Sequence, residues 1–513
     1  MTMLFRWIEL QNGSDIRGTA LSGIPGETVN LTPEVAFRLG QSLVSWYARH
    51  FPEKKDRIRV SVGTDSRLSG PSLRNSFCNG LLSAGADVCD FGLATTPSMF
   101  MSIVDESLRC DAAVMITASH LPFNRNGFKF FTSQGGFEKA DITELLSLAE
   151  AGNFPAEQRK GSVQAVNYLE QYADALISLI RTQVNQPGSY DTPLKGLRII
   201  VDAGNGSGGF FAANVLQKLG ADTTGSQYLE PDGTFPNHAP NPEDDKAMES
   251  LQHAVLNANA DLGIIFDTDV DRAAVVSKDG TGINRNRLIA LMSAIVLEEH
   301  PGSTIVTDSV TSEGLGRFIE AHHGIHHRFK RGYKNIINEA LRLNKEGNPC
   351  WLAIETSGHA AMKENYFLDD GAYVIARILI KAAQLHHQGK SVEYLIRTLA
   401  DPVESNEFRI KIKEEHFSAY GNKVIESLAS YVSRVDGWKK ASVNHEGIRI
   451  TCDSLSGHGW FLLRLSLHDP VLPLNVESED PAVVSFIIRR LIPFFNEFDQ
   501  LDISSLQQTL NTV

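Results

Sequence analysis

Cysteine is scarce in this chain of 513 residues. The five present are Cys78, Cys89, Cys110, Cys350 and Cys452, and no two of them form a C-x-x-C pair. That scatter argues against a disulfide framework or a zinc site and points to a reducing compartment. Long apolar runs are missing too, since none approaches the roughly 18 residues that a membrane-spanning helix needs. Positive charge is in deficit, with 48 Lys and Arg against 61 Asp and Glu. The imbalance argues against a dedicated nucleic-acid binder while leaving room for a locally basic pocket. The N-terminal MTMLFRWIELQNG has neither the pattern of a signal peptide nor the Arg/Ser-rich texture of a transit peptide. The expected protein is soluble and needs neither membrane nor nucleic acid, as a monomer or homodimer. Its compartment is the cytoplasm, or an organelle such as the plastid if a transit peptide is missing from this chain.

What is present is a repeated unit. Residues 57–65, RIRVSVGTD, form a short apolar run ending in Asp, followed by Ser69-Gly70, a helical segment and the turn Gly85-Ala86-Asp87. LRIIVD at 197–202 repeats the pattern, with Ser207-Gly208, a helix and Gly220-Ala221-Asp222. TIVTD at 304–308 repeats it more loosely, with Ser312, a helix and Gly324. Strand, polar turn, helix and next strand make the parallel α/β unit. Linker-like stretches at 185–193, 298–303 and 400–405 separate the copies. Beyond 405, FRIKIKEEHF and GIRITCDS alternate like strands and 483–495 reads as a helix. The expected fold is three similar α/β domains with mixed sheets (1–190, 191–302, 303–402), followed by a C-terminal α+β domain (403–513).

Four short stretches could carry chemistry. Ser119 and His120 stand just past the apolar run 112–116, where open α/β sheets place ligands. Pro122, Asn126 and Gly127 mark the following segment as a loop that leads to Lys129. Ser119 could be a nucleophile or phosphoryl carrier, or part of an ordinary polar turn. In FDTDVDR, Asp267, Asp269 and Asp271 alternate after another apolar run, a spacing that can converge on one hard cation. An EF-hand is excluded there, because Arg272 and Lys278 occupy the positions that need Gly and Glu. A phosphatase-type D-x-D nucleophile fits less well, since Asp271 stands where Thr or Val belongs. In IETSGH, Glu355, Ser357 and His359 suit a hydroxyl-rich ligand or a capped helix start. In SDIRG, Arg17 could contact a phosphate or make a surface salt bridge. The pairs His322-His323 and His326-His327 read as a solvated helix end, because Gly324 interrupts any shared helix face.

Together TASH…NGFK, D-x-D-x-DR, E-x-SGH and DIRG resemble the α-D-phosphohexomutases, and in the same order along nearly the whole chain. The resemblance implies an active site in the central cleft, with Ser119 carrying the phosphoryl group. It implies His120 and Lys129 as helpers in proton transfer and charge stabilisation, and Arg17 and Arg272 as arginines of the transfer site. Asp267, Asp269 and Asp271 would hold Mg²⁺, with phosphorylated Ser119 completing the shell. Glu355, Ser357 and His359 would read the sugar, and Arg331 lies in a stretch expected to meet substrate. A hexose phosphate would be the substrate and glucose 1,6-bisphosphate or a similar bisphosphate the activator. The family's R-P-S-G-T loop for the non-reacting phosphate is altered here to Arg464-Leu465-Ser466-Leu467-His468, with Pro473 at a later, usually basic position and Ser456 to Gly459 as a possible substitute. The expected activity is phosphoglucomutase or phosphomannomutase. The alternatives are a phosphoglucosamine mutase, a catalytically weak relative with a regulatory or binding role, and a phosphatase.

Overall fold

A computed structural model describes residues 6–54, 57–154, 160–454, 457–466, 469–480 and 482–511. The chain forms two compact units, Met1–Leu288 with Ser357–Tyr394 and Ile289–Thr356 with Leu395–Val513.

In the first unit an eight-stranded mixed sheet is built around Arg59–Thr64, Ala112–Ile116 and Arg125–Thr132. The first two run parallel, and Arg125–Thr132 returns antiparallel with Met115 opposite Lys129. All five side chains of Ala112–Ile116 are buried, so the apolar run seen in the sequence is a central strand. Asn126, Gly127 and Lys129 therefore lie on a strand, where a loop was expected. The reason is packing: Phe128 and Phe130 point into the core with Phe77 and Leu39. Gly127 is needed for space, because a Cβ there would lie 2.1 Å from the Ile16 carbonyl and 2.8 Å from Arg17 Cδ.

A four-stranded sheet follows, in which Leu262–Phe266 pairs parallel with Ile199–Asp202 and antiparallel with Ala273–Ser277. The helix expected after Ser207 is not a regular α-helix. A 3₁₀ turn at Ser207–Gly209 passes into a π-helical stretch at Phe211–Leu216 and a second 3₁₀ turn at Gln217–Leu219. Gly208 and Gly209 press so closely on Phe266 and on the Leu229 carbonyl that a Cβ would come within 2.9 and 2.0 Å of them. The hairpin Ala360–Met362 with Leu368–Asp369 and the long helix Gly371–His386 also belong to this unit.

In the second unit, Thr304–Thr307 lies parallel to both Ile325–Arg328 and Cys350–Ile354. Ser312 caps the helix Glu313–Ala321 through Leu315 N, as the third repeat predicts. His322 and His323 end that helix, but His326 and His327 sit on the next strand, contrary to the expected solvated helix end. Thr307 Oγ1 lies 2.8 Å from His326 Nε2, and burial foremost pushes that imidazole well below its ordinary range. His327 pairs with Glu339 at 2.8 Å. The C-terminal region is a six-stranded antiparallel sheet packed by the helices Phe417–Val432 and Val483–Phe495. No helix among the described residues is long and apolar enough to cross a membrane.

Candidate active site

Ser119 stands in the left-handed region at φ +50°. That conformation costs about 1–3 kcal/mol in a residue with a side chain, so its surroundings must fix it. Its N–H donates to Thr117 Oγ1 at 2.8 Å, and the Thr117 hydroxyl donates to Asp65 at 2.7 Å. Its carbonyl accepts from Thr268 Oγ1 at 2.8 Å and from Arg67 Nη2. The hydroxyl then faces a charged pocket. It donates to Asp267 Oδ2 at 2.8 Å, accepts from Arg272 Nη2 at 3.0 Å and lies 3.3 Å from His120 Nδ1.

Arg67 was not anticipated. It is wholly buried, ion-paired to Asp65 at 3.2 Å, and donates to the carbonyls of Ser119, Leu121, Pro122 and Arg125. One guanidinium thus satisfies four carbonyls of the serine loop. The available signal was Asp-Ser-Arg directly after the first repeat's strand.

The acidic loop is equally strained. Val270 takes φ +66°, an outlier for a β-branched residue. Its N–H reaches the Asp267 carbonyl at 3.3 Å and its own carbonyl accepts from Gly371 N at 3.0 Å. The tight turn brings one oxygen each of Asp267, Asp269 and Asp271 within 4.8 Å of one another. Asp269 Oδ1 and Asp271 Oδ1 are buried with no hydrogen-bond donor among the described residues. Clustered carboxylates with free oxygens fit a hard divalent cation such as Mg²⁺. Thr96, at the start of a helix capped by Thr95, donates its hydroxyl to Asp269 Oδ2 at 2.5 Å.

Lys129 does not turn back to Ser119. Its strand position aims Nζ at Asp269 Oδ2, 2.9 Å away, and at Asp271 Oδ2. Burial opposes its charge, but Asp269 and Asp271 outweigh it and hold the ammonium well above the usual range. Burial, then Asp271 and Asp269, lift the Asp267 carboxyl far above its ordinary value. Burial also opposes charge on Asp271, but Lys129, His359 and Arg272 prevail and hold it low. Burial, followed by Arg272 and Arg17, pushes His120 down to about 2. The ring is therefore neutral and its Nδ1 accepts from Arg272. Arg17 is buried, not a surface residue; it pairs with Asp15 at 2.9 Å and donates to the Thr117 carbonyl. His359 pairs with Asp369, a second unanticipated residue, and lies 3.9 Å from Asp271. Burial opposes its charge, but Asp369 and Asp271 lift the imidazole to about 9.

Ser119, His120, Lys129, Arg17, Arg272, the three aspartates and His359 thus meet in the first unit. Ser357 is buried in that unit, while Glu355 belongs to the second. No helix follows this segment, which continues into the strand Ala360–Met362. In the second unit Glu355 accepts from Gly332 N at 2.5 Å, and Arg331 lies 3.9 Å from Asp308 and 4.0 Å from Glu407. Burial and Glu355 raise Asp308 to about 7. Arg464 faces Glu446, Arg331, Glu407 and Asp308, and its buried Nε has no hydrogen-bond partner among the described residues. Ser466 Oγ accepts from Asp469 N at 3.2 Å. Leu467, His468 and Ser456 lie outside the described residues.

Comparisons with known proteins agree along the chain. Models of the phosphoglucomutase/phosphomannomutase alpha/beta/alpha domains I, II and III match residues 9–154, 170–280 and 284–403. A phosphoglucomutase of Neisseria gonorrhoeae is 31% identical over 472 residues, covering 92% of this chain and 94% of that protein. A phosphomannomutase/phosphoglucomutase of Pseudomonas syringae pv. tomato is 32% identical over 470 residues, covering 91% of each. A solved phosphoglucomutase/phosphomannomutase family protein of Burkholderia thailandensis matches with a TM-score of 0.76 at 27% identity, over 94% of this chain and 96% of that one.

Proposed function

The chain belongs to the phosphoglucomutase/phosphomannomutase family of α-D-phosphohexomutases, and from that premise we propose that it interconverts the 1- and 6-phosphates of glucose and mannose through phosphorylated Ser119. The observation that carries this reading is a serine hydroxyl fixed between the Asp267 carboxylate and the Arg272 guanidinium. A phosphoryl group on Ser119 would bring about −1.5 to −2 of charge. Its transfer depends on positioning and positive charge more than on covalent help. A substrate hydroxyl forms the new O–P bond as the Ser119 Oγ–P bond breaks. The proton released by the substrate hydroxyl balances the one taken up by Ser119 Oγ as its bond to phosphorus breaks. His120 Nδ1, 3.3 Å from Oγ and carrying no proton of its own, stands where it can accept a proton but not supply one. The bisphosphate product reorients and gives its other phosphate back to Ser119. Free glucose 1,6-bisphosphate serves as activator by loading the serine.

Asp267, Asp269 and Asp271, with a phosphoserine oxygen, would hold Mg²⁺. The ion would supply charge stabilisation to the transferring phosphoryl group. Arg272 orients the serine oxygen, and Lys129 neutralises two of the carboxylates from behind. Glu355, Ser357 and His359 read the sugar hydroxyls, while Arg464 and Arg331 grip the phosphate that stays put. We place domain boundaries at 190, 302 and 402. Peptide mass spectrometry after incubation with glucose 1,6-bisphosphate tests the carrier: one phosphate is expected on Ser119, and label on Asp267 would favour a phosphatase instead.

Two further outcomes test the cation and the phosphate grip. Asp269→Asn removes one charge at nearly constant shape. It should raise the Mg²⁺ requirement and lower kcat about a hundredfold; unchanged kinetics across a Mg²⁺ titration would dismiss the site. Arg464→Ala should raise KM about ten- to a hundredfold, the worth of a charge-assisted bond to phosphate. A smaller loss of kcat should accompany it, because remote binding energy also supports the chemical step. An unchanged kcat/KM on both sugar phosphates would show that this loop does not grip phosphate.

A further inference from the structure

A buried ion pair joins Asp202, the last residue of the second repeat's strand, to His238, which none of the motifs contains. Asp202 ends the strand Ile199–Asp202 and is fully buried. His238 Nε2 lies 3.0 and 3.1 Å from its two carboxylate oxygens. The other ring nitrogen, Nδ1, lies 2.9 Å from the Ala239 carbonyl. Carboxylate and carbonyl oxygens only accept, so both ring nitrogens carry hydrogen and the ring is an imidazolium. Asp202 also accepts from Gln227 Nε2 at 2.7 Å and Gly204 N at 2.9 Å, which fixes the carboxylate. Gly204, at φ +51°, lets the histidine segment come in: a Cβ there would lie 2.9 Å from Pro240 and 3.4 Å from His238.

The segment 237–243 is tied down at both ends. Asn237 donates to Asn205 at 2.8 Å, and Asp244 caps the helix Asp245–Ala258. Between these ties, Asn241 Oδ1 accepts from Arg272 Nη1 at 3.2 Å and Glu243 lies 3.9 Å from the same nitrogen. Arg272 spends its other terminal nitrogen on Ser119 Oγ.

We propose that the His238–Asp202 pair is a positioning latch: it sets the 237–243 segment so that Asn241 and Glu243 aim the Arg272 guanidinium at the phosphoryl-transfer oxygen. The groups facing His238 are Asp202 from the strand, Asp244 from the helix start and the edge of the Tyr228 ring. Burial opposes its charge, but Asp202 prevails and raises the imidazole above its ordinary value. The sign follows. The latch is closed below that raised value and is lost as pH rises through it, because a bare ring nitrogen then meets an oxygen lone pair. Arg272 loosens, and kcat falls on the alkaline side while substrate binding is little changed.

The inference rests on Ser119 as phosphoryl carrier. The experiment measures kcat and KM for glucose 1-phosphate between about pH 6 and 10, with Mg²⁺ and glucose 1,6-bisphosphate, in wild type, His238→Gln and Asn241→Ala. The first variant removes the titrating ring. The second, on a half-buried residue, leaves the ion pair intact but cuts its link to Arg272. Each should lower kcat about tenfold with KM within about twofold, the loss of one aimed charge-assisted bond. Each should also flatten the alkaline fall, which a merely structural role would not do. Wild-type kcat, or an unchanged alkaline limb, in Asn241→Ala overturns the latch even if His238→Gln fails to fold. Mass spectrometry of the same samples separates the two levels: no phosphate on wild-type Ser119 sinks the carrier, whereas phospho-Ser119 with unchanged variant kinetics sinks the latch alone.

Discussion

Ser119→Ala should lower mutase turnover about ten-thousand-fold or more, because it removes the oxygen that must hold the phosphoryl group between half-reactions. The loop should survive the change. Alanine bears the same backbone cost at φ +50°, and the bonds that fix the turn come from Thr117, Thr268 and Arg67 to main-chain atoms of residue 119. The measurement is kcat for glucose 1-phosphate with saturating bisphosphate, alongside intact mass for the missing phosphate. Turnover within tenfold of wild type would mean that the phosphoryl group passes through another residue.

Arg67→Met should be the most damaging change to stability. It leaves Asp65 buried without its cation and strips donors from four carbonyls. Breaking one partner of a buried pair costs about 3–5 kcal/mol. The denaturation midpoint in urea should drop accordingly, and what folds should lose kcat because the turn at Ser119 is no longer fixed. Adding Asp65→Asn removes the uncompensated charge and should recover part of the midpoint but little of the kcat. A single variant with wild-type stability would mean that the carbonyls find other donors.

Much of this site was legible because its chemistry is local. Asp267, Asp269 and Asp271 lie within one turn and Ser119-His120 stands just past the apolar run 112–116, so spacing brought both to notice, although the phosphoryl-carrier role of Ser119 came only with the family resemblance. The three strand-turn-helix units were legible for the same reason. What escaped depends on neighbours remote in sequence. Asn126-Gly127 carries turn residues, yet pairing with Arg17-Gly18 and burial of Phe128 and Phe130 make it a strand, and that strand sends Lys129 to Asp269 and Asp271. Arg67 looked like any charged residue after a strand, because its four carbonyl partners lie more than fifty positions away. The expected helix after Ser207 gave way to π and 3₁₀ turns through contact with Phe266 and Leu229, which no local propensity encodes.

The left-handed turn at Ser119 has a bearing on which alcohol can do this work. Threonine offers the same hydroxyl and the same proton, and by composition the exchange is among the mildest available. Its branched Cβ, however, crowds the backbone at positive φ far more than serine's does. A threonine at 119 would unwind the turn and swing its oxygen away from Arg272 and Asp267, or stay put under added strain. Chemical kinship and conformational kinship part company at this position, and primary alcohols alone satisfy both.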